Sequence, residues 1–139
     1  MTAPRLPFFV YGTLLRGQRN HALLAGRVRS WTAAVLPGAL LFDGPGYPFA
    51  VADPAGRGRV RGELVGIAEE SYDLVLADLD RLETYVPGAP GNLYERVRRA
   101  VTGERGAQEA WVYLANEPLA AQLLAHGRRI DGGDWPASR

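Results

Sequence analysis

At 139 residues, with 47% hydrophobic and 22% charged side chains, the chain has the composition of one folded globular domain over 1–139, not of a disordered segment. A net charge of +1 offers no basis for electrostatic capture of nucleic acid or of an anionic membrane, and no apolar run nears the roughly 20 residues that span a bilayer. Cysteine and lysine are both absent, which excludes disulfides, a thiolate nucleophile, a Schiff-base lysine and a P-loop lysine. The two histidines, His21 and His126, are too few for a histidine-rich metal site. No carboxylate spacing marks a mixed one, so neither a metal nor a cofactor is expected. The Met1–Pro7 segment lacks the apolar centre of a signal peptide, and with no cysteine to argue for export a cytoplasmic location is the expectation. No pattern in the chain specifies an oligomeric state.

In chain order, the first predicted strand is Leu6 to Tyr11, running directly into a Gly12-Thr13-Leu14 turn. A short helix near Asn20 to Leu24 follows. Strands are predicted at Val28 to Leu36, Ala39 to Phe42 and Phe49 to Ala52, separated by Pro37-Gly38 and Gly44-Pro45-Gly46. Arg59 to Ile67 reads as another strand and Ser71 to Tyr85 as a helix. Tyr94 to Thr102 and Gln108 to Leu114 read as a hairpin through Gly103 to Gly106. Asn116 is placed to cap a last short helix, with Pro118 in its first turn and Gly127 beyond its end. Many hairpin-linked strands with one substantial helix between them predict an α+β fold, a small antiparallel β-barrel or curved sheet with flanking helices.

On a helical wheel, Tyr72, Val75, Leu76, Leu79 and Leu82 form one apolar stripe, and Glu83 falls inside it. Asp73, Asp78, Asp80 and Arg81 occupy the remainder. Glu83 is therefore the acid of this helix expected to face inward, near the negative end of the helix dipole. Burial and dipole both push its pKa upward, as a general base working near neutrality requires. The competing reading is a Glu that frays into solvent or pairs with an arginine such as Arg96. Gly12 has two readings as well. It is either an ordinary turn residue, or part of a nest in which free N–H groups at residues 12 to 15 receive a carboxylate or an oxyanion. No phosphate-loop or dinucleotide-binding glycine pattern accompanies it.

Phe9-Val10-Tyr11-Gly12-Thr13-Leu14, followed by Gly17-Gln18-x-Asn20-His21, resembles the opening of the γ-glutamylcyclotransferase-like family, most closely its γ-glutamylamine cyclotransferase branch. The resemblance continues through Gly46-Tyr47-Pro48, Gly62-Glu63-Leu64, Leu79-Asp80-x-Leu82-Glu83, Tyr94-x-Arg96, Trp111-Val112-Tyr113 and Gly133-Asp134-Trp135. One departure is Thr84, where relatives often carry glycine after the catalytic glutamate. The resemblance implies a small antiparallel barrel with flanking helices and no cofactor. It also implies a small-molecule γ-glutamyl amide substrate, cleaved by attack of its own α-amine with release of 5-oxoproline. Glu83 would be the catalytic base, and Tyr11, Gly12, Thr13 and Leu14 would bind substrate through backbone N–H groups. Tyr113 matches a substrate-contacting tyrosine, although alternation along its strand with Glu109 and Trp111 equally allows a core role. Two further readings stand beside the enzyme. One is a non-catalytic binding or regulatory module for a small amino-acid-like ligand; the other is an RNA- or protein-binding surface using Arg96, Arg98 and Arg99.

Overall fold

The computed structural model describes residues 5–136; Met1 to Pro4, within the segment inspected for a signal peptide, lie outside them. Five strands close into a barrel in the order β1 (Phe8–Val10), β5 (Arg59–Ile67), β2 (Val28–Pro37), β6 (Tyr94–Gly103) and β7 (Gly106–Ala115). β6 and β7 form a ten-residue hairpin in full register from Tyr94↔Ala115 to Gly103↔Gly106, and Gly106 takes the left-handed conformation at φ +95 that this tight reversal needs. β1 inserts between β5, antiparallel through Phe9↔Leu64, and β7, parallel through Phe8↔Trp111. That parallel contact closes the barrel and is the one departure from the antiparallel pairing expected. β3 (Ala39–Phe42) and β4 (Phe49–Ala52) pair separately as a two-stranded hairpin, with the bounds predicted from their turn glycines.

The alternation of β1 explains its place. Phe9 and Tyr11 point into the barrel against Leu36, Val60, Val112 and Trp135, whereas Phe8 and Val10 point outward against α1 (Tyr72–Leu82). Phe8, Phe9 and Val10 are almost fully buried, and each such side chain contributes about 1.5–3 kcal/mol. The helical stripe packs as expected: Tyr72, Val75 and Leu79 are buried, and Leu76 and Leu82 lie against the same cluster. α2 (Glu117–His126) starts at Asn116, whose side chain accepts the Leu119 N–H at 3.0 Å. Gly127 ends it with an extended φ of −73. A Cβ there would stand 2.8 Å from the Phe42 ring, so close packing selects this glycine.

α1 stops at Leu82, three residues before the predicted end. Its last turn closes with the Thr84 N–H on the Arg81 carbonyl at 3.1 Å and the Tyr85 N–H on the Asp80 carbonyl at 2.7 Å, the two bonds of a Schellman cap. Thr84 takes φ +53, the only non-glycine residue with a positive φ among the described residues. Glu83 is thus the C-cap residue instead of a residue of the helix body. Its own N–H still reaches the Leu79 carbonyl at 3.0 Å, which keeps its side chain above the apolar stripe.

Candidate active site

One cavity of about 270 Å³ opens between the end of β1, the end of α1 and β7. Tyr11, Gly12, Thr13 and Leu14 line it on one side, Glu83 and Tyr113 on the other. The fold brings together all six candidate residues. Asn20, Tyr47 and Tyr94 also line it and were not singled out. Tyr47 and Tyr94 sit in resembling motifs but carry no local signal for a site, because the turn between β3 and β4 and the start of β6 reach the cavity only in the folded barrel.

The loop after β1 is pinned by the short turn that follows it. The Asn20 N–H donates to the Thr13 carbonyl and its Nδ2 to Thr13 Oγ1, both at 2.9 Å, and His21 Nδ1 lies 3.3 Å from the Leu14 carbonyl oxygen. Leu15 turns back with its N–H on the Gly12 carbonyl at 3.1 Å. The nest expected at residues 12 to 15 therefore loses Leu15. The N–H groups of Gly12, Thr13 and Leu14 have no acceptor among the described residues. Gly12 itself is fixed by packing: a Cβ there would meet Pro48 Cδ at 2.8 Å and Cγ at 2.9 Å.

The Glu83 carboxylate accepts no hydrogen bond and makes no ion pair among the described residues. Burial pushes its pKa up to about 7. The alternative partner, Arg96, is engaged elsewhere: its Nε donates to Asp80 Oδ1 at 2.9 Å. Asp80, placed by the wheel on the outer face, is instead a largely shielded acid that also accepts the Tyr113 hydroxyl at 2.6 Å. Tyr113 takes the core position its strand allows, 5% exposed and packed in the α1-side core, and borders the cavity as well. Its carbonyl accepts the Tyr11 hydroxyl at 2.5 Å, tying β7 to the residue before Gly12. Burial pushes the hydroxyls of Tyr11, Tyr94 and Tyr113 far above the ordinary tyrosine value, so all three are neutral at pH 7.

Among the described residues no cluster of three or more His, Cys, Asp or Glu side chains could hold a metal ion, and no helix is long and apolar enough to cross a membrane. Chemically, the cavity sets an acceptor of high basicity opposite unspent backbone donors.

Comparison with known proteins gives the same direction. A family profile described as "Gamma-glutamyl cyclotransferase, AIG2-like" matches residues 8–137. The gamma-L-glutamyl-butirosin B gamma-glutamyl cyclotransferase of Niallia circulans is 33% identical over 109 residues, which cover 78% of this chain and 65% of that protein. Among solved structures, YkqA from Bacillus subtilis superposes with a TM-score of 0.66 at 28% identity, over 94% of this chain and 39% of that one. An AIG2-like protein from Mus musculus gives 0.59 at 25% identity, over 79% and 76%. With the profile spanning nearly the full length, the chain belongs to the AIG2-like gamma-glutamyl cyclotransferase family.

Proposed function

We propose that this protein cleaves a γ-glutamyl amide, a γ-glutamylamine or a γ-glutamyl amino acid, releasing 5-oxoproline and a free amine. The observation that carries the reading is a basic, unpaired Glu83 carboxylate sharing one cavity with the unsatisfied N–H groups of Gly12, Thr13 and Leu14. Glu83 takes a proton from the substrate's α-ammonium. The freed amine attacks the γ-carbonyl carbon and closes a five-membered ring. The carbonyl oxygen becomes an oxyanion and the attacking nitrogen an NH2+. Glu83 returns the first proton to the leaving nitrogen, and collapse breaks the bond to it. The second proton passes from the ring nitrogen through Glu83 to the released amine, which departs as an ammonium. The loop N–H groups receive the glutamyl carboxylate or the oxyanion, and the Tyr113 ring forms the opposite wall. The nucleophile is already part of the substrate, so enforced geometry supplies much of the rate: effective molarities for such ring closures reach about 10⁵–10⁸ M. Proton transfer adds about 10²–10⁴-fold.

The test is incubation with a panel of γ-glutamyl amides, with 5-oxoproline followed by mass spectrometry. Glu83→Gln keeps size and polarity but cannot accept the ammonium proton, and its turnover should fall by at least about 10²-fold. A Gln variant forming 5-oxoproline at near wild-type rate removes Glu83 from the chemistry. Wild type that forms none from any member of the panel removes the activity.

A further inference from the structure

Asp80 lies one turn before Glu83 and faces a different set of partners. Its carboxylate receives three hydrogen bonds from two strands: Tyr113 Oη at 2.6 Å from β7, and Arg96 Nε at 2.9 Å and Nη2 at 3.4 Å from β6. The side chains of Arg96 and Asp80 are only 12% and 17% exposed, so solvent screens this pair poorly. Arg96 is held flat as well, its guanidinium carbon 4.7 Å from the Trp111 ring centre and 5.4 Å from that of Tyr85. The backbone joins the same arrangement, because the Asp80 carbonyl accepts the Tyr85 N–H that closes the turn bearing Glu83.

Two consequences follow for the cavity. The Tyr113 hydroxyl proton is committed to Asp80, so the Tyr113 oxygen has only lone pairs left to offer. A second, electrostatic consequence concerns Glu83. The groups facing it are Tyr11 from the end of β1, Tyr94 from β6, Tyr113 from β7, and Tyr47 and Arg19 across the cavity. Buried Tyr11, Tyr94 and Tyr113 are neutral, and one hydrogen bond behind the Tyr113 wall of the cavity stands the charged Asp80–Arg96 pair. Paired, the two charges cancel; unpaired, either would act on Glu83 through a shielded medium.

We propose that Asp80 is a positioning residue that sets the electrostatic environment of Glu83, by cancelling the Arg96 charge and by fixing the Tyr113 hydroxyl. The proposal rests on Glu83 being the base, and geometry gives it a sign. Asp80→Asn keeps the shape and an acceptor for Tyr113 but leaves Arg96 uncompensated, which favours ionised Glu83. Arg96→Gln leaves Asp80 uncompensated, which disfavours it. The double variant removes both charges.

The experiment titrates the Glu83 carboxyl by carbon-13 NMR in wild type and the three variants, alongside the pH dependence of kcat/KM for 5-oxoproline formation. The expected result is a midpoint lowered by about one pH unit in Asp80→Asn, raised in Arg96→Gln, and returned near wild type in the double variant, with the acidic limb of the rate profile moving in step. Loss of packing alone would not reverse sign between the singles or cancel in the double. Midpoints that stay within 0.2 units or so in all variants, or that move the same way in both singles, overturn the proposal. Because the NMR arm needs no turnover, an inactive wild type whose Glu83 midpoint follows the cycle refutes the functional reading and leaves the electrostatic role of Asp80 standing.

Discussion

A carboxyl whose folded pKa lies near 7 ties stability to pH in a direction opposite to that of a salt-bridged acid. Glu83 ionises near 4.5 when exposed, and near 7 in the folded protein because burial disfavours its charge. Well below pH 4.5 it is neutral in both states and adds no pH dependence to stability. Between pH 4.5 and about 7 the unfolded chain releases a proton that the native state retains, so stability falls as pH rises through this window and levels off above it. Glu83→Gln lacks this proton. It should match wild type near pH 4 and exceed it by up to about 3 kcal/mol near pH 8, as read by urea denaturation at both values. A variant less stable than wild type at pH 8 would mean that Glu83 has a stabilising partner. The orientation of Glu83 was legible in the sequence, since an apolar stripe is a local pattern. The role of Asp80 was not. Its partners Arg96 and Tyr113 lie 16 and 33 residues away on two strands, and no periodicity encodes which face of a helix those strands will cover.

Two turns carry the site, and each is held by a steric feature that a point change can test. The C-terminal turn of α1 requires a left-handed residue at position 84 and has threonine there, a β-branched side chain poorly suited to φ +53. Thr84→Gly should raise stability by about 0.5–1 kcal/mol in denaturant titrations: relief of the left-handed penalty outweighs the extra freedom of the unfolded chain. A loss instead would show that the Thr84 side chain makes a compensating contact. At the other wall, Gly12→Ala would drive a methyl group into the Pro48 ring, which is stiff and itself buried. The expected cost is about 1–3 kcal/mol with displacement of the Tyr47–Pro48 wall. Unchanged stability would mean that the wall gives way freely. The sequence left Gly12 either as an ordinary turn residue or as part of a ligand nest. Only the folded turn between β3 and β4 shows that Pro48 is the near neighbour. The strands themselves were legible because their ends carry turn glycines and prolines, whereas the end of α1 was not, since Thr84 disguises a position where glycine would have announced the stop.

For the whole molecule, the hairpins follow from adjacent turns, but the order of strands around the barrel does not. β1 lies between β5 and β7, with Val10 opposite Glu63 and Phe8 opposite Trp111, and no local feature specifies either pairing. The cavity belongs to this closure, since its walls come from β1, α1 and β7 at once. Unfolding should therefore be a single event, with tryptophan fluorescence and far-ultraviolet circular dichroism giving coincident urea transitions; separated midpoints would show that the barrel opens in stages.

Closure by the first strand also sets a schedule for biosynthesis. Phe8, Phe9 and Val10 leave the ribosome long before Trp111 exists to receive them, and at about 5–20 residues per second that interval is roughly 5–20 s. During it an apolar strand has no final partner on one edge, which leaves the nascent chain open to edge-to-edge pairing with other chains. The cavity has no partial form in the meantime. A chain released before Gly106 lacks β7 and one wall of the pocket, and it should show no 5-oxoproline binding by calorimetry, however much of its secondary structure has formed.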